Sequence, residues 1–176
     1  MTSIETIRHS LAHILAAAVQ ELYLNVKFGI GPAIENGFYY DFALPAVASG
    51  EGGALAPQDL PKIEKKMREL IKQNIAFKKT AVSKKKARKL FKDQPYKLEL
   101  VNEKSKTKNT KLTVYESGGF WDLCAGPHIK STLQLHSGQA KEIIDSFKLT
   151  RVAGAYWRGS EKNQMLTRIY GIAFGT

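Results

Sequence analysis

Two pairs of side chains, each spaced four residues apart, constrain this chain's fold more than any other feature of its sequence. His9 and His13 lie in "RHSLAHILAAAV" (residues 8–19), and Cys124 and His128 in "WDLCAGPHI" (121–129). The first pair sits in a helical pattern. Ile4, Ile7, Leu11, Ile14, Leu15, Ala18 and Leu22 form an apolar stripe along a helix expected over about residues 3–24. "TSIE" (2–5) reads as its capping box, with Thr2 accepting from the third helical amide and Glu5 reaching back. Residues i and i+4 of a helix stand one above the other, so His9 and His13 can point at one centre. They fall almost opposite the stripe, among Ser10, Ala12, Ala16 and Ala17, on a face of small side chains that another element or a ligand can approach. Ordinary core packing is not expected there.

The second pair cannot share a helix, because Gly126 and Pro127 separate its members. A tight loop after a strand must present them. The two-residue period of "FWDLC" sets Asp122 on the face of Cys124, with Trp121 and Leu123 on the other. For this composition an H-x-x-x-H is expected by chance ~0.1 times and a C-x-x-x-H ~0.02 times, so accidental coexistence is rare. Three readings follow from the residues. Three imidazoles and a thiolate satisfy tetrahedral zinc. Alternatively, a metal-free pocket uses a histidine to position or deprotonate water. The third reading is two unrelated pairs. His136, in "TLQLHSGQA", has no partner at metal spacing and reads as a surface residue. Nothing favours a thioester mechanism at the single cysteine over attack by water.

Around these pairs the chain reads as helix, strands, helices, strands. "VKFGIGPAIENGFYYDFAL" suggests two short strands joined at "ENG". Residues 45–57 are a Gly/Ala/Pro-rich loop, expected to be mobile, and 58–75 a second helix with Leu60, Ile63, Met67, Leu70 and Ile71 as its apolar face. "AFKKTAV" suggests a strand, "SKKKARKLFKD" a basic helix begun by Ser83, and "KSKTKNTK" a polar loop. "KLTVYE", "GGFWDLC", "SFKLTRVAGAYW" and "MLTRIYGIAF" read as strands of one sheet. The expected class is α+β, with a mainly antiparallel sheet packed with helices, in one domain over 1–176.

Charge is uneven. Of the net +11, residues 62–111 hold 18 Lys/Arg against 5 Asp/Glu, whereas the remainder holds 9 against 11. This basic, largely helical segment (about 58–111) suits RNA backbone as a partner, and equally a solvated lysine-rich face. No run is long and apolar enough for a membrane span, no secretory signal opens the chain, and one cysteine forms no internal disulfide. Cytoplasm is expected, with no membrane partner.

Together "RHSLAHILAAAV", "FGIGPAIENGFYYDF", "FWDLCAGPH" and "FKLTRVAGAYWRGSEKNQMLTRIYGIAF" resemble, in order from residue 8 to about 174, the editing domain of bacterial-type threonyl-tRNA synthetases. Alanyl-tRNA synthetase editing domains share the two pairs, while "DLCAGPH", "ENGFYYDF" and "GAYWRG" mark the threonyl branch. The resemblance implies the editing fold common to the two branches and hydrolysis of seryl-tRNA(Thr). A synthetic pocket for threonine also admits serine, and discriminating one methyl(ene) yields only ~10- to 200-fold. A second site that excludes threonine's extra methyl completes the selection.

The resemblance also implies roles. His9 would activate or hold the attacking water, while His13 and His128 shape the pocket and orient water near the terminal ribose. Asp122 would fix the seryl group, and Lys97, in "PYKLEL", would stabilise the oxyanion or the 3′ end, with Lys92 a nearby alternative. Gly31 and Tyr40 match positions lining the amino-acid pocket, and Cys124 completes the catalytic set. The threonyl branch works without metal, so no cofactor is expected, with zinc at His9, His13, Cys124 and His128 the alternative. The expected partner is the 3′ end of tRNA(Thr) carrying serine. The ubiquitin-like domain and aminoacylation core of the full synthetases are not expected within this sequence, so it should not activate threonine. Residues 45–57 and "STLQLHSGQAKEIIDS" look longer than the family minimum.

Overall fold

The computed structural model describes residues 3–45, 55–106, 111–132 and 146–174. Its first helix, α1 (Ile4–Leu22), is capped by Ser3, whose Oγ accepts the Thr6 amide at 3.2 Å; Thr2, the cap expected from the capping box, lies outside the described residues. The helix ends two residues short of the expected Leu24, as Tyr23 turns extended and Asn25 takes a positive φ of 59°. Ile7, Leu11, Ile14, Leu15 and Ala18 are buried as the stripe requires. Ala12, Ala16, Ala17 and His13 are buried too, so the opposite face is also covered, by an element that approaches the small side chains. The alanines permit this, since they let a second layer come close on the histidine side.

The segment read as two strands forms three. β1 (Lys27–Phe28) and β2 (Ala33–Ile34) both pair antiparallel with β3 (Gly37–Ala43). Between β1 and β2 the chain passes Gly29 to Pro32, where proline offers no amide to a ladder. A 3-10 turn (Pro57–Asp59) leads into α2 (Leu60–Lys72), which buries Leu60, Ile63, Met67, Leu70 and Ile71. β4 (Phe77–Val82) is followed by α3 (Lys84–Leu90), whose cap is Ser83 Oγ accepting from the Lys86 amide at 3.2 Å. A further helix, α4 (Pro95–Lys104), has proline in its first turn, where no amide is needed.

β5 (Leu112–Ser117), β6 (Phe120–Leu123), β7 (Phe147–Tyr156) and β8 (Met165–Ala173) follow. They do not form one sheet. β4, β5 and β6 make a three-stranded sheet, whereas β7 and β8 join the N-terminal strands in the order β1-β3-β8-β7, with β2 also on β3. Every pairing is antiparallel, and the class is α+β. The β3–β8 seam depends on small residues, since a Cβ on Gly37 would stand 2.0 Å from the Gly171 carbonyl oxygen. The main core joins α1, α2 and the inner faces of both sheets. A smaller one, with Phe91, Val101 and Val114, lies under α3 and α4. His136 and most of the 45–57 loop lie outside the described residues.

Candidate functional site

The layer on the histidine side of α1 is β6 and the loop that leaves it, and here the two sequence pairs meet. Cys124 Sγ lies 3.4 Å from His9 Nε2 and 3.3 Å from His128 Nε2. The His128 ring centroid is 4.1 Å from that of His9 and 4.0 Å from that of His13. The loop is folded by specific bonds. The Cys124 amide donates to the Thr113 carbonyl at 3.1 Å, Gly126 N–H to Cys124 Sγ at 3.3 Å, and Lys79 Nζ to the Ala125 carbonyl at 2.9 Å. Gly126 has φ of 77°, and a Cβ there would stand 2.4 Å from Tyr115 Oη.

Beside this cluster Asp122 is buried in a polar knot. Tyr40 Oη donates to Oδ2 at 2.6 Å, Lys97 Nζ donates to Oδ1, and His13 Nε2 is 3.4 Å from Oδ2. Lys97 Nζ is also 3.1 Å from Tyr40 Oη and its side chain is 2% exposed. Lys92 is a surface residue, its side chain 74% exposed and 3.9 Å from Asp93. The structure thus brings Lys97, not Lys92, to the cluster. Gly31 packs on the Tyr40 ring so closely that a Cβ would fall 2.0 Å from Cδ2. A cleft of about 180 Å³ is lined by His9, His13, Gly31, Lys97, Asp122 and Cys124, and Tyr40 stands fully buried behind it. A second hollow of about 290 Å³ adjoins it, sharing His9 and Pro32. A larger hollow, about 650 Å³ between α2 and β7, contains none of these groups.

Burial sets the protonation states. It pushes the His13 imidazole well below its ordinary pKa, assisted by His9 and Lys97. His128 is likewise lowered by burial and then by His13 and His9. His9 is lowered by burial, partly offset by its bond to the Pro127 carbonyl. The Cys124 thiol is pushed up to about 11, mainly by burial. At neutral pH the site therefore holds three neutral imidazoles and a protonated thiol: acceptors and bases, with no thiolate nucleophile.

One ligand atom from each of His9, His13, Cys124 and His128 lies within 4.8 Å of the others. Zinc bonds of ~2.0 Å to nitrogen and ~2.3 Å to sulfur imply separations of ~3.3 to 3.6 Å, so the donors suit that ion after a modest contraction. His13 Nδ1 is buried without a hydrogen-bond partner among the described residues.

Folded imidazoles that refuse protons make stability pH-dependent. The unfolded chain binds them as pH falls through 6.5, while the folded state does not, so stability is full above that pH and declines below it. His13 and His128 are each expected to contribute a slope of about 1.4 kcal/mol per pH unit until their folded pKa values are reached. Urea unfolding at a series of pH values measures this directly. Equal stability well above and well below pH 6.5 would contradict it.

Ser10, Tyr115 and Lys79 support the site but were not among the sequence candidates. Tyr115 pairs in register with Asp122 and packs against the His128 ring. Ser10 lay in view, between the two helical histidines, with no local sign of its distant contacts.

A family model described as the threonyl and alanyl tRNA synthetase second additional domain matches residues 112–170, the stretch containing Asp122, Cys124 and His128. The threonine–tRNA ligase of Thermotoga maritima is 52% identical over 172 residues, covering 97% of this chain and 24% of that protein. That of Dehalococcoides mccartyi is 47% identical over 174 residues, covering 99% and 27%. That of Rubrobacter xylanophilus is 45% identical over 170 residues. The chain spans about a quarter of the length of these relatives. Residues 112–170 match the threonyl and alanyl tRNA synthetase second additional domain, and over nearly its whole length the chain is similar to one region of bacterial threonine–tRNA ligases.

Proposed function

We propose that the chain is one editing unit that hydrolyses the ester of seryl-tRNA(Thr) in the cytoplasm, without a metal. The observation that carries this reading is the single cleft in which neutral His9 stands beside the Asp122–Lys97 pair. Water held at His9 Nε2 adds to the ester carbonyl as its proton passes to that nitrogen. Collapse of the tetrahedral centre breaks the acyl C–O bond, and the ribose oxygen recovers a proton from His9. The products are serine and deacylated tRNA. Lys97 stabilises the developing oxyanion, and the Asp122 carboxylate receives the substrate's ammonium or hydroxyl. His13 and His128 orient water and the terminal ribose. A cleft of about 180 Å³ suits a seryl group, and Gly31, packed on Tyr40, gives it a rigid wall against an added methyl. The basic segment 62–111 attracts the RNA backbone.

The zinc reading is favoured by one observation, the convergent donor set. If zinc were held, it would supply an acidified water at the same place. Deacylation of seryl-tRNA(Thr) and threonyl-tRNA(Thr), each with and without chelator, separates these readings. The expected result is loss of serine alone at a rate unchanged by chelation. Loss of activity on chelation identifies the zinc-dependent, alanyl-type chemistry, and hydrolysis of neither ester leaves a tRNA-binding module.

A further inference from the structure

Ser10 is buried in α1 with three polar contacts, and together they determine where the protons of the catalytic cluster lie. Its Oγ is 2.8 Å from the Thr6 carbonyl, 3.1 Å from the Ile129 amide and 3.2 Å from His128 Nδ1. A hydroxyl has one proton and two lone pairs. The carbonyl can only accept, so it takes the proton. The amide can only donate, so it fills one lone pair. The remaining contact is then satisfied only if His128 Nδ1 carries a hydrogen and donates to Oγ. That leaves His128 Nε2 as a bare lone pair, 3.3 Å from Cys124 Sγ.

His9 is fixed by the same accounting. Its Nδ1 lies 3.2 Å from the Pro127 carbonyl, which accepts only, so Nδ1 is protonated and Nε2 is bare. This nitrogen also faces Cys124 Sγ, at 3.4 Å. Two bare nitrogens thus face one thiol, which has one proton to give. Of the two, His9 lines both hollows and His128 lines neither. Water entering the cleft therefore meets His9.

We propose that Ser10 is a positioning residue: it holds His128 in the Nδ1–H form, draws the single Cys124 thiol proton to His128 Nε2, and so keeps His9 Nε2 bare for the attacking water. Without the Ser10 oxygen, His128 is free to carry its hydrogen on Nε2 and donate to sulfur. The thiol proton then turns to His9 and caps the base. This inference rests on the assignment of His9 as the water-activating group, and deepens it by naming what keeps that group available.

Nitrogen-15 NMR of the histidine side chains tests the tautomer without any activity, so it stands even if the hydrolytic reading fails. The expected wild-type result is His128 protonated on Nδ1 and bare on Nε2, changing to the other tautomer or a mixture in Ser10→Ala. Single-turnover deacylation by Ser10→Ala is expected to fall at least ~10-fold with substrate affinity unchanged, and Ser10→Thr to restore it. In a Cys124→Ala background, which has no thiol proton to redirect, Ser10→Ala should cost little further activity. Wild-type His128 protonated on Nε2, or a Ser10→Ala penalty that is undiminished in the Cys124→Ala background, overturns the proposal. Should Ser10→Ala not fold, the wild-type tautomer and the Ser10→Thr variant still decide it.

Discussion

Replacing Lys97 with methionine is expected to destabilise the folded protein by about 3 to 5 kcal/mol, the usual cost of removing one partner from a buried ion pair. The ammonium is 2% exposed and donates to Asp122 Oδ1 and Tyr40 Oη. Without it, the Asp122 carboxylate stays buried with only Tyr40 Oη at 2.6 Å and His13 Nε2 at 3.4 Å for company. The cost arises from this stranded charge rather than from lost packing, because methionine preserves most of the lysine stem. A Lys97→Met/Asp122→Asn double variant removes the charge while still accepting from Tyr40, and should recover a large part of the loss. Chemical denaturation of the wild type, the two single variants and the double variant measures the coupling. Additive losses would show that the pair is not the unit holding β3, α4 and β6 together. An exposed pair such as Lys92–Asp93, 3.9 Å apart on the surface, provides the contrast: its removal should be almost silent.

Lys97 also illustrates what was legible in the sequence. It stood out through resemblance to a known motif, but α4 itself was not separated from the basic segment. A lysine sits on the helix's buried face with Tyr96 and Val101, which blurs the apolar period. The helix α1, its shared histidine face and the loop that presents Cys124 and His128 were readable from fixed periodicities and from Gly126–Pro127 breaking any helix, whereas the meeting of the two pairs was read from the resemblance. The small face around His13 was read as one that an element or a ligand could approach, and the structure sets β6 and its loop there. Alanines opposite an apolar stripe mean a second packed layer, where charged residues would have meant solvent. The division into two sheets was not readable either. Alternation in "SFKLTRVAGAYW" says that one face is covered, whereas its partner is chosen by long-range fit such as Gly37 against Gly171. Ser10 was hidden for a related reason. Its bond to the Thr6 carbonyl looks like ordinary local helix chemistry, and its decisive contact is 118 residues away.

His9→Ala is expected to lower seryl-tRNA(Thr) deacylation by about 100- to 10,000-fold, the range that a lost general base produces. His9 is the informative histidine for this test because it can be removed with the least structural damage. Its ring is only partly buried and faces two hollows, whereas His13 is 1% exposed and packed against Phe77 and Phe120. Circular dichroism of His9→Ala should therefore match the wild type while activity collapses. The wild-type pH profile gives the same assignment a second reading. Burial lowers the pKa of His9 from 6.5, so the neutral base persists to more acidic pH than a free imidazole would, and the acid limb of kcat should lie below pH 6.5. Acid destabilisation through His13 and His128 acts in the same direction, but it removes folded protein and shows in circular dichroism. Protonation of His9 instead removes activity from a chain that is still folded. A limb above pH 6.5 in folded protein, or full activity in His9→Ala, would move the base to another residue of the cleft.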